Sequence, residues 1–335
     1  MPFGASGQWS WLILMESLQN LKKRIKSVSN VGQITKAMEL VAATKMRRSQ
    51  QIALDSRPYA FAALDFLATL SILENQKLPP LFEVRKNIKR VLFVLVTSDK
   101  GLAGAFNSSV FKKFEQHAKE YPASAKGFGE AKEEKLYAAV GEKSYAYLSK
   151  KNYKILKKFV AVGDYTTTEQ VKPLSDFLVQ GYLNKDFDRV IVVSTHFRSA
   201  LKQEPHVRRI LPIDFDHLAD TIKEIIPERG KFADLIKEHN INFVPDKKKL
   251  KEYTIEPKPE KVLEKLAEHL FFIQVYHLIL EANASEHSAR RLAMKTASDN
   301  AKDIGESLNL QYNKSRQSAI TKEIAEITAG AEALS

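Results

Sequence analysis

The fold is decided by residues 260–334, which read EKVLEKLAEHLFFIQVYHLILEANASEHSARRLAMKTASDNAKDIGESLNLQYNKSRQSAITKEIAEITAGAEAL. Pro259 is the last proline of the chain, and this stretch contains only the glycines Gly305 and Gly330. Apolar residues recur every three or four positions, the period of one helical face. They are Leu263, Leu266, Leu270, Ile273, Leu280, Met294, Ala297, Ala301, Ile304, Leu308, Ile320, Ile324, Ile327, Ala331 and Leu334. One unbroken helix of this length would measure about 110 Å, so it needs a second helix to cover its apolar side.

A second helical segment lies near the N-terminus. No proline occurs between Glu16 and Arg57, and Gly32 is the only glycine there. Apolar residues again follow steps of three and four, at Leu18, Leu21, Ile25, Val28, Val31, Ile34, Met38 and Val41. Pro58 kinks or ends the helix, and the period resumes over residues 59–73. We therefore predict an antiparallel coiled coil between the two chain ends.

The residues between the two helices change period. Residues 90–97, RVLFVLVT, form a continuous apolar and β-branched run, which is typical of a strand buried on both faces. Further strands are predicted at 136–140, 155–160 and 189–194, with helices at 108–119, 141–151 and 169–182. This alternation predicts a mostly parallel, Rossmann-like sheet with helices on its faces. Residues 121–135 are predicted to be a loop and 213–251 a surface insertion.

These patterns divide the chain into four parts. Residues 1–14 are interpreted as a leader or a mis-assigned start, because the helical pattern begins only after Met15. Residues 15–78 form the N-terminal coiled-coil helix, 79–258 the α/β domain with its insertion, and 259–335 the C-terminal coiled-coil helix. No stretch reaches the roughly 18 apolar residues that cross a bilayer, so we expect an intracellular protein without a span.

The charge points to an acidic partner. The 335 residues carry a formal net charge of +12, which suits nucleic acid, an anionic membrane surface or an acidic protein groove. Composition alone ranks nucleic acid first. The N-terminal helix carries much of the excess, in Lys22, Lys23, Arg24, Lys26, Lys36, Lys45, Arg47, Arg48 and Arg57. Aromatic residues are not interleaved with them, and no nucleic-acid-binding pattern appears.

No active site emerges from the motifs. The turn after the first strand, residues 98–107 (SDKGLAGAFN), contains glycines that could cradle a phosphate, but it matches neither nucleotide-binding fingerprint. We interpret it as a tight strand-to-helix turn. Cysteine is absent, which excludes thiolate catalysis, and the histidines show no metal-binding spacing. We expect no catalytic residue, cofactor or metal. The alternatives are a coiled-coil nucleic-acid-binding protein and a Rossmann-like nucleotide enzyme.

Three passages resemble one family, the gamma subunits of F-type, proton-translocating ATP synthases of bacterial type. The first is ITKAMELVAATKM at residues 34–46, followed by SRPY at 56–59. The second is TSDKGLAG at residues 97–104. The third runs from ASEH at 284–287 to YNKSRQSAITKEI at 312–324. The resemblance covers residues 15–334 and implies a coiled-coil shaft on a Rossmann-like globular foot.

The resemblance also implies a role. In that family the shaft turns inside a ring of alpha and beta subunits and transmits rotation of a membrane c-ring to the catalytic head, which couples proton transport to ATP synthesis. The subunit itself is not catalytic. Partners would be the alpha, beta and epsilon subunits and the c-ring, without nucleic acid, at the cytoplasmic face of the cell inner membrane. Ala103 stands where many relatives have cysteine, so no function can rest on a thiol there. Because the chain contains no cysteine, the dithiol regulation of chloroplast relatives is excluded.

Individual residues follow from the same resemblance. Contacts with beta subunits map onto Lys36, Met38, Lys45, Arg316, Gln317 and Thr321. Met38 could equally be a core residue of the coiled coil. The tip of the shaft, which would turn in an apolar sleeve, contains Ile320, Ile324, Ile327 and Leu334.

Overall fold

The computed structural model describes residues 18–55, 79–85, 87–124, 133–163, 166–213, 256 and 258–332. The leader at 1–14, the resumed period at 59–73, most of the insertion at 213–251, and Leu334 lie outside the described residues. Ile213 is the described member of that insertion. It is buried, and its N–H donates to the carbonyl of Leu81 at 2.8 Å, so this residue belongs to the core rather than to a surface insertion.

The described elements alternate between strands and helices, flanked by two long helices. In chain order they are α1 (Leu18–Asp55), a 3-10 turn (Pro80–Phe82), β1 (Arg90–Val96), α2 (Phe106–Ser124), β2 (Glu134–Val140), α3 (Glu142–Lys150), β3 (Ile155–Phe159), α4 (Thr168–Leu183), β4 (Arg189–Phe197), β5 (Gln203–Leu211) and α5 (Pro259–Glu332). The chain divides into two compact units. One contains residues 1–41 and 291–335, and the other contains residues 42–290. The four-part division made from the sequence stays a prediction.

In the first unit, α1 and α5 pack as an antiparallel pair. A Cβ placed on Gly32 would lie 3.4 Å from the Cβ of Ala301, and one on Gly305 would lie 3.9 Å from Cγ1 of Val28. Moving four residues back on α1 therefore moves four residues forward on α5, which defines an antiparallel register. The Ser298 hydroxyl adds a long hydrogen bond of 3.5 Å to the Gly32 carbonyl. Glycine and alanine at these contacts let the two backbones approach closely.

The apolar stripe predicted for this pair is partly wrong. Ile34 and Val41 are 60% and 55% exposed, and Val31 and Ile304 are also about half exposed. The row that is buried or half-buried on α1 instead follows a strict heptad spacing through Leu21, Ile25, Val28, Gly32, Thr35 and Glu39. The physical reason is that close approach at Gly32 and Ala301 selects small residues for the contact, so the larger apolar side chains beside them stay outside.

The second unit contains one five-stranded sheet in the order β3-β2-β1-β4-β5. Strands β1 to β4 are parallel, while β5 pairs antiparallel with β4. The fold class is confirmed: a mostly parallel sheet with helices, joined to a long C-terminal helix. The sequence analysis missed β5, because its residues QEPHVRRIL contain proline and five polar or charged side chains rather than an apolar run.

Helices cover both faces of the sheet. On one face, Leu92, Val94 and Val96 of β1 share a buried cluster with α4 and with residues 263–282 of α5. On the other face, Val91, Phe93 and Leu95 pack against α2 and α3. Strand β1 is thus buried on both sides, as its unbroken apolar run predicted.

The other boundaries differ in detail from the prediction. The segment 121–135 was predicted to be a loop, yet α2 continues to Ser124 and β2 begins at Glu134. The sequence rich in Lys, Glu, Gly and Ala did not indicate where the helix ends. Strand β4 extends to Phe197, three residues past the prediction, because its last residues pair with the unforeseen β5.

An ion pair holds the amino-terminal edge of the sheet. The Arg85 guanidinium donates to a carboxylate oxygen of Asp188 and to the Phe187 carbonyl, each at 2.9 Å. The other oxygen of Asp188 accepts from the main-chain N–H groups of Lys89 and Arg90 at 2.8 and 3.0 Å. Burial alone would raise the pKa of Asp188, but these donors outweigh it and hold that pKa below its usual value.

Candidate functional site

The residues mapped by resemblance on α1 sit in different surroundings. Lys36 is exposed and forms an ion pair of 2.8 Å with Glu39, three residues on. Met38 and Lys45 are half-buried. Met38 lies one residue before Glu39 of the buried row, so it flanks the helix contact rather than filling it. It therefore keeps part of its thioether side chain available to a partner.

The residues mapped on α5 form a separate group. Arg316, Gln317 and Thr321 are all exposed, and the Thr321 hydroxyl donates to the Gln317 carbonyl of its own helix at 2.9 Å. The register of the pair places Arg316 about twenty residues of helix away from Met38, or roughly 30 Å. The structure therefore does not bring the two groups together into one site.

The C-terminal part of α5 carries aliphatic side chains into solvent. Ile324 and Ile327 are 59% and 66% exposed, and Ile320 is also about half exposed. By the register, the first described residue of α1, Leu18, lies level with Ser315. The rest of α5 therefore has no facing helix among the described residues. From Arg316 to Ala331, every described side chain is exposed.

The turn after β1 is not arranged to hold a phosphate. The Arg290 guanidinium of α5 donates to the main-chain carbonyls of Lys100 and Gly101 at 3.3 and 3.2 Å. A phosphate needs converging N–H donors at this position, whereas Lys100 and Gly101 present their carbonyl oxygens to Arg290. This polarity disfavours the nucleotide-enzyme alternative.

Two of the histidines on α5 are buried. His277 and His287 are each 1% exposed, and His287 is hydrogen-bonded to the Gly163 carbonyl at 3.0 Å. In the part of the chain that the structure describes, no group of histidine, aspartate and glutamate residues could hold a metal ion. The same part contains no helix long and apolar enough to cross a bilayer.

Sequence reasoning missed the buried polar residues of α5 as a functional set. Asn283, His287 and Arg290 each bind a loop at the carboxyl edge of the sheet. The only signal available was their position in and beside the ASEH passage at 284–287, one of the passages that carry the family resemblance.

These features define a class of protein: an α/β unit together with an antiparallel pair of long helices, of which α5 ends in exposed aliphatic and polar residues. A model of the ATP synthase family matches residues 17–334. The ATP synthase gamma chain of Roseiflexus castenholzii is 34% identical over 96% of this chain and 99% of its own length, and that of Herpetosiphon aurantiacus is 35% identical with the same coverage. The chain belongs to the ATP synthase gamma-chain family, the central-stalk rotor subunits of that complex.

A solved structure supports the fold. The rotor of the mitochondrial ATP synthase of Euglena gracilis superposes with a TM-score of 0.56 at 17% identity, covering 90% of this chain and 98% of that chain. At this level of identity the likeness concerns the fold alone.

Proposed function

We propose that the chain is the non-catalytic shaft that transmits rotation between a membrane ring and a catalytic head, at the cytoplasmic face of the membrane. The exposed end of α5 carries this proposal. A helix surface with Ile320, Ile324 and Ile327 in solvent calls for an enclosing partner, and aliphatic side chains offer few directional bonds that rotation would have to break. An apolar sleeve formed by alpha and beta subunits suits both requirements.

The polar residues below this end suit contact with beta subunits. Arg316 and Gln317 can form directional hydrogen bonds with carboxylates, and Thr321 adds a hydroxyl on the next turn. On α1, the exposed Lys36 and the half-buried Met38 and Lys45 offer charge with some apolar surface. The excess of basic residues would attract an acidic partner over a longer range. Contact of the α/β unit with an epsilon subunit and the membrane ring belongs to the same proposal.

Reconstitution tests this function. The full chain is mixed with cognate alpha and beta subunits, and assembly and ATP hydrolysis are measured with and without it. We expect a stable complex whose hydrolysis depends on the chain. Neither assembly nor any effect on hydrolysis would contradict the proposal. Retention on DNA with a steep salt dependence would then support the nucleic-acid alternative, which otherwise rests on net charge alone.

A further inference from the structure

One segment of α5 is buried on all sides although much of it is polar. Every residue from 282 to 288 is buried. An ordinary surface helix buries one apolar stripe and exposes the rest, so this segment is enclosed for another reason. Its polar side chains bind loops at the carboxyl edge of the parallel sheet, where doubly wound proteins usually bind their ligands.

The first group of contacts holds the loops after β1 and β3. The Asn283 amide donates to the Val162 carbonyl at 2.9 Å and is also bonded to the Thr166 hydroxyl. His287 bonds the Gly163 carbonyl, and Arg290 bonds the turn after β1, as described above. Glu286 accepts from Arg290 at 2.5 Å and so compensates its buried charge.

The second group of contacts holds the β4–β5 hairpin. Glu281 Oε2 lies 2.9 Å from Nδ1 of His196, near the end of β4, and 3.7 Å from the Arg208 guanidinium of β5. The Ser288 hydroxyl donates to the Ala200 carbonyl in the hairpin turn at 2.7 Å. Hydrogen bonds and ion pairs of α5 thus reach four of the five strands or the loops that follow them, which are β1, β3, β4 and β5.

The two groups lie on opposite faces of the helix. At about 100° per residue, Asn283, His287 and Arg290 fall within roughly 60° of one another. Glu281 and Ser288 point about 130–150° away from the centre of that group by the same geometry. Rotation of α5 about its own axis would therefore stretch bonds on both sides at once, and a hydrophobic contact alone offers no such directional resistance.

We propose that Glu281, Asn283, His287, Ser288 and Arg290 form a torque socket, which fixes the rotational position of α5 in the α/β unit. They are positioning residues, and the inference rests on the proposed rotor function. α5 is one continuous helix, with residues 259–290 in the α/β unit and 291–332 in the helical unit. A twist applied to the α/β unit enters the helix at the socket. The crevice that binds a ligand in related sheets holds this helix instead.

Most acceptors in the socket are main-chain carbonyls, on Lys100, Gly101, Val162, Gly163 and Ala200. In these hydrogen bonds the helix supplies the donors. The loops must therefore have the right main-chain conformation, but they do not need particular side chains. Substitutions on α5 are consequently the direct way to weaken the socket.

The test uses the complete complex with its membrane sector in sealed vesicles. ATP hydrolysis and ATP-driven ion uptake are measured together, and their ratio is compared among variants. Asn283→Ala and Ser288→Ala, alone and combined, each remove a donor from one face. Thr296→Ala is the matched control, because Thr296 is exposed on the same helix and its hydroxyl bonds only its own turn, at Leu292. His287→Gln, which keeps a side-chain donor, is compared with His287→Leu.

We expect the combined variant to hydrolyse ATP while its ion uptake per ATP falls about threefold or more, as lost hydrogen bonds let the helix slip. His287→Gln should retain more of the ratio than His287→Leu. A control-like ratio in the combined variant overturns the socket. If the combined variant does not assemble, ion uptake per ATP in the single variants tests the socket in the same way. If the single variants do not assemble either, these residues serve folding and the socket is overturned. If hydrolysis does not depend on the unmodified chain, the proposed function itself fails.

Discussion

At the residue scale, Gly141 is the glycine, among those that the structure describes, at which the surrounding backbone leaves least room for a side chain. It connects β2 to α3 with a φ of 93°, and its N–H donates to the Phe159 carbonyl at 2.8 Å. A Cβ there would lie 2.2 Å from the carbonyl oxygen of Thr97, at the end of the neighbouring strand. Both the left-handed backbone and the contact penalise any side chain. We expect Gly141→Ala to lower the free energy of unfolding by more than about 2 kcal/mol.

The matched control for this change is Gly101→Ala. A Cβ at Gly101 would meet nothing nearer than the end of the Lys143 side chain at 3.9 Å. The free energy of unfolding of both variants is measured by urea denaturation and by hydrogen exchange of the β1 and β2 amides. Equal destabilisation by the two substitutions would contradict the steric explanation.

Asp188 makes stability depend on pH. Its folded pKa is lowered, since the donors from Lys89, Arg90 and Arg85 outweigh the opposing effect of burial. Its contribution is therefore complete above the unfolded pKa of about 3.9 and is lost as pH falls through the folded pKa. Asp188→Asn should lower the free energy of unfolding at neutral pH by about 1–3 kcal/mol and flatten its acid dependence.

Asp186→Asn is the control, because Asp186 is exposed two residues earlier in the chain. Unfolding free energies at neutral pH and at a series of acid pH values compare the two variants. If Asp186→Asn flattens the acid dependence as strongly, the ion pair at the sheet edge is not its source.

At the element scale, the helix pair can be tested by a disulfide. The chain has no cysteine of its own, so introduced thiols are unambiguous. A Cβ at Gly32 would lie 3.4 Å from that of Ala301, close to the range of about 3.5–4.5 Å in disulfides. The double variant Gly32→Cys/Ala301→Cys should therefore form an intramolecular disulfide rapidly under mild oxidant, detected on a non-reducing gel.

The comparison pair is Gln33→Cys/Ala301→Cys. Gln33 is exposed and points about 100° away from Gly32 around the helix. We expect little cross-linking from it. Similar yields from both pairs would mean that the register at Gly32 and Ala301 is not fixed.

The same helix pair shows how far the sequence could predict structure. The 3.6-residue period was sufficient to predict α1 and α5, because it depends on where apolar residues recur. It identified the contacting row as far as Val28 and lost it from Gly32 onward. Ile34 and the small residue Gly32 belong to adjacent stripes of equal period, and backbone approach favours the small one. Periodicity weights hydrophobicity and ignores side-chain volume, so beyond Val28 it selected the exposed stripe that contains Val31 and Ile34.

In the sheet, the sequence predicted the four parallel strands, including the edge strand β3, and failed at the antiparallel edge strand β5. Strand β1 is covered on both faces and reads as an uninterrupted apolar run. The edge strand β5 carries Arg208, which reaches Glu281 of α5. The polar residues that give β5 a role in the socket are also the reason why its sequence does not read as a strand. The socket itself could not be predicted from spacing, because its acceptors are main-chain carbonyls on loops distant in sequence.

At the scale of the whole molecule, substitutions at the C-terminal end of α5 can affect function without affecting folding. Residues 316–331 contribute exposed side chains wherever these are described, so substitutions there should leave the stability of the isolated chain almost unchanged. If the proposed beta contacts exist, the effect must appear only in the complex. We expect Arg316→Ala and Gln317→Ala each to lower the ATP hydrolysis rate of the reconstituted complex by about tenfold, as expected for a lost hydrogen bond to a charged partner.

Gln311→Ala distinguishes a specific contact from a general effect on the helix. Gln311 is also exposed, lies on the same helix six residues before Gln317, and loses the same side-chain amide when replaced. Thermal unfolding of each isolated chain accompanies the hydrolysis assay. A comparable loss of activity in Gln311→Ala would contradict a specific contact at Arg316 and Gln317, because any exposed residue of the helix would then have the same effect. A loss confined to Arg316→Ala and Gln317→Ala, with unchanged unfolding, would locate the working contact on that turn, because the chain's own fold does not depend on it.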